Sequence, residues 1–342
     1  MRPDPTTRSE HGDDAPAGAS HQGPTARNRA LSRRASAIAL ALALGLILAK
    51  VWGWQVTGSI ALLASAADAL VDALGALATF VGIRYAHRPA DPEHRFGHGK
   101  GEALAAFTQA VLLATTGIVF GAQSLWRLLF PEPLSGLDIG LAVAAGSVVT
   151  SGALVAMQSW VLRRTASTAI AADRAHYLTD VVVNLAVLVS LAVSWATGWA
   201  RADPAFALAI ALYMLWNASS IARAASVQLL DEELAPVQRK RIEAAALSCP
   251  GALAIHDIRS RNAGDCIFVE FHLEVDGALT VREGHRIVDG AEAAVAALFP
   301  GGVEVIGHLE PVGIVDERLD ERVQRASPTG ARAQAKRRLD IV

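Results

Sequence analysis

The chain has 342 residues, of which 52% are hydrophobic and only 19% charged, with a formal net charge of -2 at pH 7. That balance excludes an ordinary soluble globular chain, which carries more charge. The two cysteines, Cys249 and Cys266, lack a metal-binding spacing, and a cytosolic setting keeps such thiols reduced.

Residues 1–32 are rich in Pro, Gly, Ala, Ser, Asp and Arg without an apolar period, and a disordered tail is expected there. No apolar stretch starts near Met1, so a secretory signal peptide is not expected. Six apolar segments follow, at about 35–54, 59–85, 102–128, 137–162, 168–198 and 205–226. Each is near or above the roughly 20 residues that cross a bilayer as a helix. Together they define a transmembrane domain over 33–228.

Lys and Arg set the expected orientation. Arg27, Arg29, Arg33 and Arg34 precede the first segment; Arg84, Arg88, Arg95 and Lys100 follow the second; Arg163 and Arg164 follow the fourth. The alternate connections are poor in basic residues, which places both termini in the cytoplasm. Trp52, Trp54, Trp126, Trp195 and Trp199 fall near the outer ends, as an aromatic belt would.

Past Asp231 the pattern becomes that of a small cytosolic α+β domain, assigned to 229–315. Helices are expected at 234–248 and 281–298, and strands at 252–261, 266–275 and 303–309. The second strand alternates Ile267, Val269, Phe271, Leu273 and Val275 with Glu270, His272 and Glu274. Residues 316–342 are expected to be a second disordered tail, whose basic end could touch lipid headgroups.

Two polar pairs interrupt the apolar segments. Asp68 and Asp72 are spaced i,i+4 in the second, and His176 and Asp180 are spaced i,i+4 in the fifth. On a helix each pair shares one face. An ionised carboxylate in hydrocarbon costs several kcal/mol unless paired, hydrated or liganded, and the second segment offers Asp68 and Asp72 no nearby Lys or Arg. Three carboxylates and an imidazole form a four-ligand site for a divalent metal. The mixed oxygen and nitrogen set suits Zn²⁺, Fe²⁺, Co²⁺ or Mn²⁺ better than Cu⁺, and the imidazole favours zinc. Asp173, one turn before His176, is a vestibule carboxylate or a solvated helix-end charge, and Asn184 is a candidate hydrogen-bond partner for the site.

A second candidate cluster, Asp91, His94 and His98, lies in the loop after the second segment, where Gly97, Gly99 and Gly101 point to a close backbone turn. A third gathers His256, His272, His285, His308 and Glu310 in the small domain; His308 and Glu310, at i,i+2 on a strand, share one side.

With the two pairs and the loop Pro89-Ala-Asp-Pro-Glu-His-Arg-Phe-Gly-His-Gly-Lys-Gly-Glu, the chain resembles the cation diffusion facilitators, most closely their bacterial zinc and ferrous-iron efflux branch. The resemblance spans roughly residues 35–313. It implies an α-helical membrane protein with six transmembrane helices, followed by a ferredoxin-like, metallochaperone-like α+β domain, assembled as a homodimer in the inner (plasma) membrane. It makes Asp68, Asp72, His176 and Asp180 the transport site and Asp91, His94 and His98 a loop zinc site. It implies a binuclear zinc site of His256, His272, His308 and Glu310, with His285 added, where the family's zinc-efflux members usually carry Asp at the Glu310 position. It pairs Lys100 with Asp231 as a charge interlock at the membrane surface.

The activity expected from this is export of Zn²⁺, with Cd²⁺ or Fe²⁺ as further cargoes, in exchange for protons. Zn²⁺ would be both transported and held as a structural or regulatory ion. An unperturbed imidazole titrates near pH 6–7, so His176 is the expected proton acceptor. Partners are divalent metal ions, protons, membrane lipid and a second copy, with no nucleic acid. Three alternatives remain open from sequence: Mn²⁺ or Fe²⁺ as the main cargo, a membrane metalloenzyme, and a membrane-anchored metal sensor without flux. No His-Glu-x-x-His accompanies the enzyme reading.

Overall fold

The computed structural model describes residues 26–57, 60–130, 137–197, 202–264 and 266–313, together with 318, 319, 322 and 323. Six long helices come first: α1 (Ala26–Thr57), α2 (Ile60–Ala86), α3 (Lys100–Leu129), α4 (Leu137–Leu162), α5 (Thr168–Thr197) and α6 (Ala202–Leu229). Among the described residues, five of them contain a stretch long and apolar enough to cross a membrane. α5 has 30 residues, ample to cross a bilayer, and carries Asp173, Arg174, His176 and Asp180 in its first half.

The tail boundary needs correction. Residues 26–32, expected to be disordered, form the first turns of α1, because Ala, Arg and Leu are strong helix formers. Trp52 and Trp126 are exposed on the helix bundle, as lipid-facing rings would be. Trp199 and the side chain of Trp195 lie outside the described residues.

The helices associate most extensively as α3 with α6, α1 with α2, and α4 with α5. Alanine dominates the buried seams: Ala106, Ala110, Ala172, Ala218 and Ala225 surround Leu113 and Met214 between α3, α5 and α6. Small side chains let helix backbones approach closely where lipid removes the hydrophobic drive for association. The α2–α3 crossing is the tightest case. A Cβ on Gly82 would meet the Ala105 Cβ and lie 2.8 Å from the Gly101 carbonyl oxygen.

The small domain is α7 (Pro236–Leu247), β1 (Ala254–Asn262), β2 (Ile267–Val275), α8 (Val281–Ala296) and β3 (Val303–Pro311). Its three strands lie in the order β1-β2-β3, with β1 antiparallel and β3 parallel to β2. The parallel pairing requires a crossover, and α8 supplies it. A capping box starts α8: Thr280 Oγ1 accepts from the Glu283 amide at 3.3 Å, and Glu283 Oε2 accepts from the Thr280 amide at 2.8 Å. Phe271, Leu273, Val269, Ile242, Val288 and Val295 fill the core between sheet and helices.

The two domains meet at the loop before α3. Phe96 stands edge-on to Phe268 with ring centroids 5.5 Å apart, and the Arg261 guanidinium lies over both rings. Gly264, at φ +95°, sits where a Cβ would be 2.6 Å from the Gly99 carbonyl oxygen. Lys100 Nζ lies 2.9 Å from Asp231 Oδ1, and Arg261 adds a second cation 3.3 Å from Oδ2. Partial burial opposes ionisation of Asp231, yet the bonds from Lys100 and Arg261 hold its carboxyl below the usual carboxylate range. The expected interlock pair is thus in contact within one chain. The second tail also needs correction, because part of it docks: Arg318 reaches Glu274 at 2.7 Å, and the Leu319 amide donates to Asp257 at 2.7 Å.

Replacing Gly82 by Leu is expected to force α2 and α3 apart at a cost of about 1–3 kcal/mol. Thermal melting of the detergent-solubilised protein checks this; an unchanged midpoint would show that the crossing can relax.

Candidate metal centres

The intramembrane centre is built by two helices. Asp72 comes from α2, and His176 and Asp180 come from α5 one turn apart. His176 Nε2 lies 3.0 Å from Asp72 Oδ1 and 3.8 Å from Asp180 Oδ2. One ligand atom from each residue falls within 4.8 Å of the other two, close enough for one ion to touch all three. The imidazole is 5% exposed, whereas the side chains of Asp72 and Asp180 are 37% and 24% exposed. His176 Nδ1 is buried with no hydrogen-bond partner. The Asp68 side chain lies outside the described residues, so three of the four expected ligands are placed.

Residues around this centre depart from expectation in two ways. Asn184 Nδ2 donates to the Asp180 main-chain carbonyl at 2.7 Å, and so does not orient the carboxylate. Asp173 is no solvated helix-end charge: it is 1% exposed. Gln109 Nε2 from α3 donates to its Oδ1 at 2.7 Å, and Gln158 Nε2 from α4 donates to its Oδ2 at 2.6 Å. Sequence reasoning missed both glutamines. The signal available was the presence of amides inside otherwise apolar segments.

The loop centre gathers as expected. Asp91 Oδ1 accepts from the His94 amide at 2.7 Å and lies 3.1 Å from His94 Nδ1; Asp91 Oδ2 lies 3.2 Å from His98 Nε2. The two imidazole centroids are 4.5 Å apart. Desolvation works against the Asp91 charge, but bonds from His94 and the nearby imidazoles hold its carboxyl below the usual range. A carboxylate kept ionised beside two imidazoles is a fitting donor set for zinc. Of the three glycines, Gly97 supplies the turn at φ +80°, while Gly101 lets α3 approach Tyr85 and the Gly82 carbonyl.

The small-domain centre is a row across the sheet. His256 on β1 pairs with His272 on β2, which pairs with His308 on β3, and Glu274 pairs with Glu310 two residues along. Glu310 joins them: Oε1 lies 2.6 Å from His272 Nδ1 and 3.7 Å from His308 Nε2, and Oε2 lies 3.2 Å from His256 Nε2. His256 Nδ1 lies 3.2 Å from Glu274 Oε1, yet both its buried nitrogens lack a hydrogen bond. Orphaned imidazole nitrogens beside carboxylates fit a metal better than a closed polar network. Glu274 and Asp257 adjoin this cluster and were not foreseen. The expected ligand His285 is not brought here within one chain. It sits exposed on α8, 3.6 Å from Asp289.

Comparison with known proteins gives the family. Residues 36–230 match the model of the cation efflux transmembrane domain, and residues 234–312 match that of the cation efflux protein cytoplasmic domain. The chain is 39% identical over 285 residues to a cation-efflux pump FieF of Klebsiella pneumoniae subsp. pneumoniae, covering 83% of this chain and 94% of that one. It is 37% identical over 289 residues to a cation-efflux pump FieF of Salmonella arizonae, covering 84% and 96%. The solved Zn form of CzrB is 40% identical over 25% of this chain and 99% of its own, at a TM-score of 0.23. Matches to both domain models, in the order the structure displays them, and identity along most of the length settle the class: the chain belongs to the cation diffusion facilitator family and is a multi-pass membrane transporter for cation efflux, not an enzyme.

Proposed function

We propose that the protein exports divalent transition metal, Zn²⁺ foremost, from the cytosol across the inner membrane in exchange for protons, with Cd²⁺ and Fe²⁺ as further cargoes. The observation that carries this reading is the meeting of Asp72, His176 and Asp180 ligand atoms within 4.8 Å inside the helix bundle. Asp68, one turn from Asp72 in sequence, is the fourth ligand of the proposal.

The chemistry of that donor set couples cargo to protons. Metal needs a neutral imidazole nitrogen and ionised carboxylates, so proton and metal compete for the same atoms. A proton arriving at His176 Nε2 removes the lone pair that would bind the ion and stabilises contact with Asp72 instead. Release then follows on the more acidic side. With both termini cytoplasmic, Thr168 of α5 lies inward and Asp180 outward. The buried Asp173 then closes the cytosolic side, and the partly exposed Asp72 and Asp180 face outward. This arrangement suits a site alternately exposed by tilting α2 and α5 against their neighbours.

The loop and small-domain centres are proposed as zinc sites held by a homodimer. The cytoplasmic-domain match and the Glu310-centred cluster support this assignment. Ion binding there would bias the membrane domain through the Phe96, Lys100 and Arg261 contacts.

Substituting Asp72 or His176 by Ala is expected to lower metal uptake into loaded vesicles by at least about a hundredfold while the protein still folds. Uptake at the parent rate would remove both residues from the transport path. Glu310→Ala should reduce the zinc stoichiometry measured by equilibrium dialysis and leave part of the transport; undiminished stoichiometry would count against the small-domain centre.

A further inference from the structure

Asp173 is more deeply buried than Asp72 or Asp180, and its surroundings are arranged for a guest. Four helices converge on it. Gln109 from α3 and Gln158 from α4 each give one N–H to it, and Gln109 Nε2 also lies 3.2 Å from Thr79 Oγ1 on α2. Gly75 of α2 leaves room for the Gln109 amide, since a Cβ there would stand 2.6 Å from Gln109 Oε1.

Both glutamines are 1% exposed, and the Oε1 atom of each is buried with no partner. A buried amide oxygen without a donor is costly, and two around one carboxylate call for an explanation. The terminal torsion is broad, so an amide can turn its oxygen toward Asp173 in place of its nitrogen when a cation replaces the N–H bonds. Rotated, the cluster offers a carboxylate, two amide oxygens and a hydroxyl, all hard donors for a divalent cation. Asp173 lies three residues before His176 on α5, about 4.5 Å along the axis.

The geometry points to a transit site: Asp173, Gln109, Gln158 and Thr79 receive the divalent cation on its way to the transport centre. The inference rests on reading Asp72, His176 and Asp180 as that centre, with Asp173 on the cytosolic side. An oxygen-only set binds transition metals more weakly than one containing imidazole, which is what a passing station needs. With no cation present, the two N–H groups hold the carboxylate and tie α5 to both α3 and α4, so the way in is shut. The cation itself exchanges for those N–H groups and opens it.

Zn²⁺ uptake by the full-length protein in proteoliposomes, measured against Zn²⁺ concentration at the cytosolic face, tests this. Asp173→Asn keeps the shape and removes the charge; its oxygen accepts from one glutamine, its NH2 donates to the free Oε1 of the other once that amide rotates, and KM is expected to rise about tenfold with Vmax and the melting midpoint nearly unchanged. Asp173→Glu should bring KM back toward the parent value. An unchanged KM, or a loss of Vmax and melting midpoint together without rescue by Glu, would overturn the transit site in favour of a structural role. If the Asn variant does not fold, Gln158→Leu carries the test: it removes one oxygen, and KM should rise at constant Vmax, whereas an unchanged KM overturns the site. Asp72→Asn in the same vesicles separates the two readings. Normal transport there defeats the transport centre itself, while a silent Asp173→Asn beside an inactive Asp72→Asn defeats only the transit site.

Discussion

Carboxylates placed inside an apolar helix bundle must find a partner, and this constraint shapes the membrane domain. A charge at such depth costs several kcal/mol. The protein meets that cost twice and in different ways. Asp72 and Asp180 stay near the His176 imidazole and keep some exposure. Asp173 is sealed away and relies on two amide donors, each worth about 1.5–3 kcal/mol to a charged acceptor. In the proposed function, the first arrangement is the place where water, proton and metal exchange. The second is a sealed carboxylate, bonded by two amides, that joins α5 to α3 and α4.

The architecture serves that arrangement. Alanine-rich seams bring backbones close enough for short side chains such as Asp to reach across helices. Glycine supplies what alanine cannot where α2 meets α3, at Gly82, and where the Gln109 amide presses on α2, at Gly75. Below the bundle, Lys100, Asp231, Arg261 and the Phe96–Phe268 pair fix the small domain against the start of α3. A change in the sheet's histidine row thus has a short mechanical route to the helix that carries Gln109.

Much of this was legible from sequence, and the pattern of success has a physical cause. The six long helices and the strands of the small domain follow from local apolar periodicity, and their limits shift by only a few residues except at α1. Asp72, His176 and Asp180 stood out because ionisable groups at one helical period in apolar segments have few other uses. Of the two readings of Asp173, the solvated helix-end charge failed because its partners are neutral amides, 64 and 15 residues away, whose presence changes no charge pattern. The histidines of the small domain were named from sequence, but their alignment as a row was hidden for a related reason. Its alignment depends on the parallel register of β2 with β3 and on the irregularity between His256 and Arg259. Neither can be read from one strand alone. Asp257, in that irregularity at φ 50°, came into view only with the fold.

The central claim is that one cation passes between α2 and α5 as protons move the other way. Simultaneous recording of Zn²⁺ entry and internal pH in proteoliposomes carrying the full-length protein tests it most directly. The account predicts that each burst of zinc uptake is matched by proton exit and that an imposed outward proton gradient accelerates both. Zinc that binds to the protein without crossing, or crosses with no change in internal pH, would contradict it.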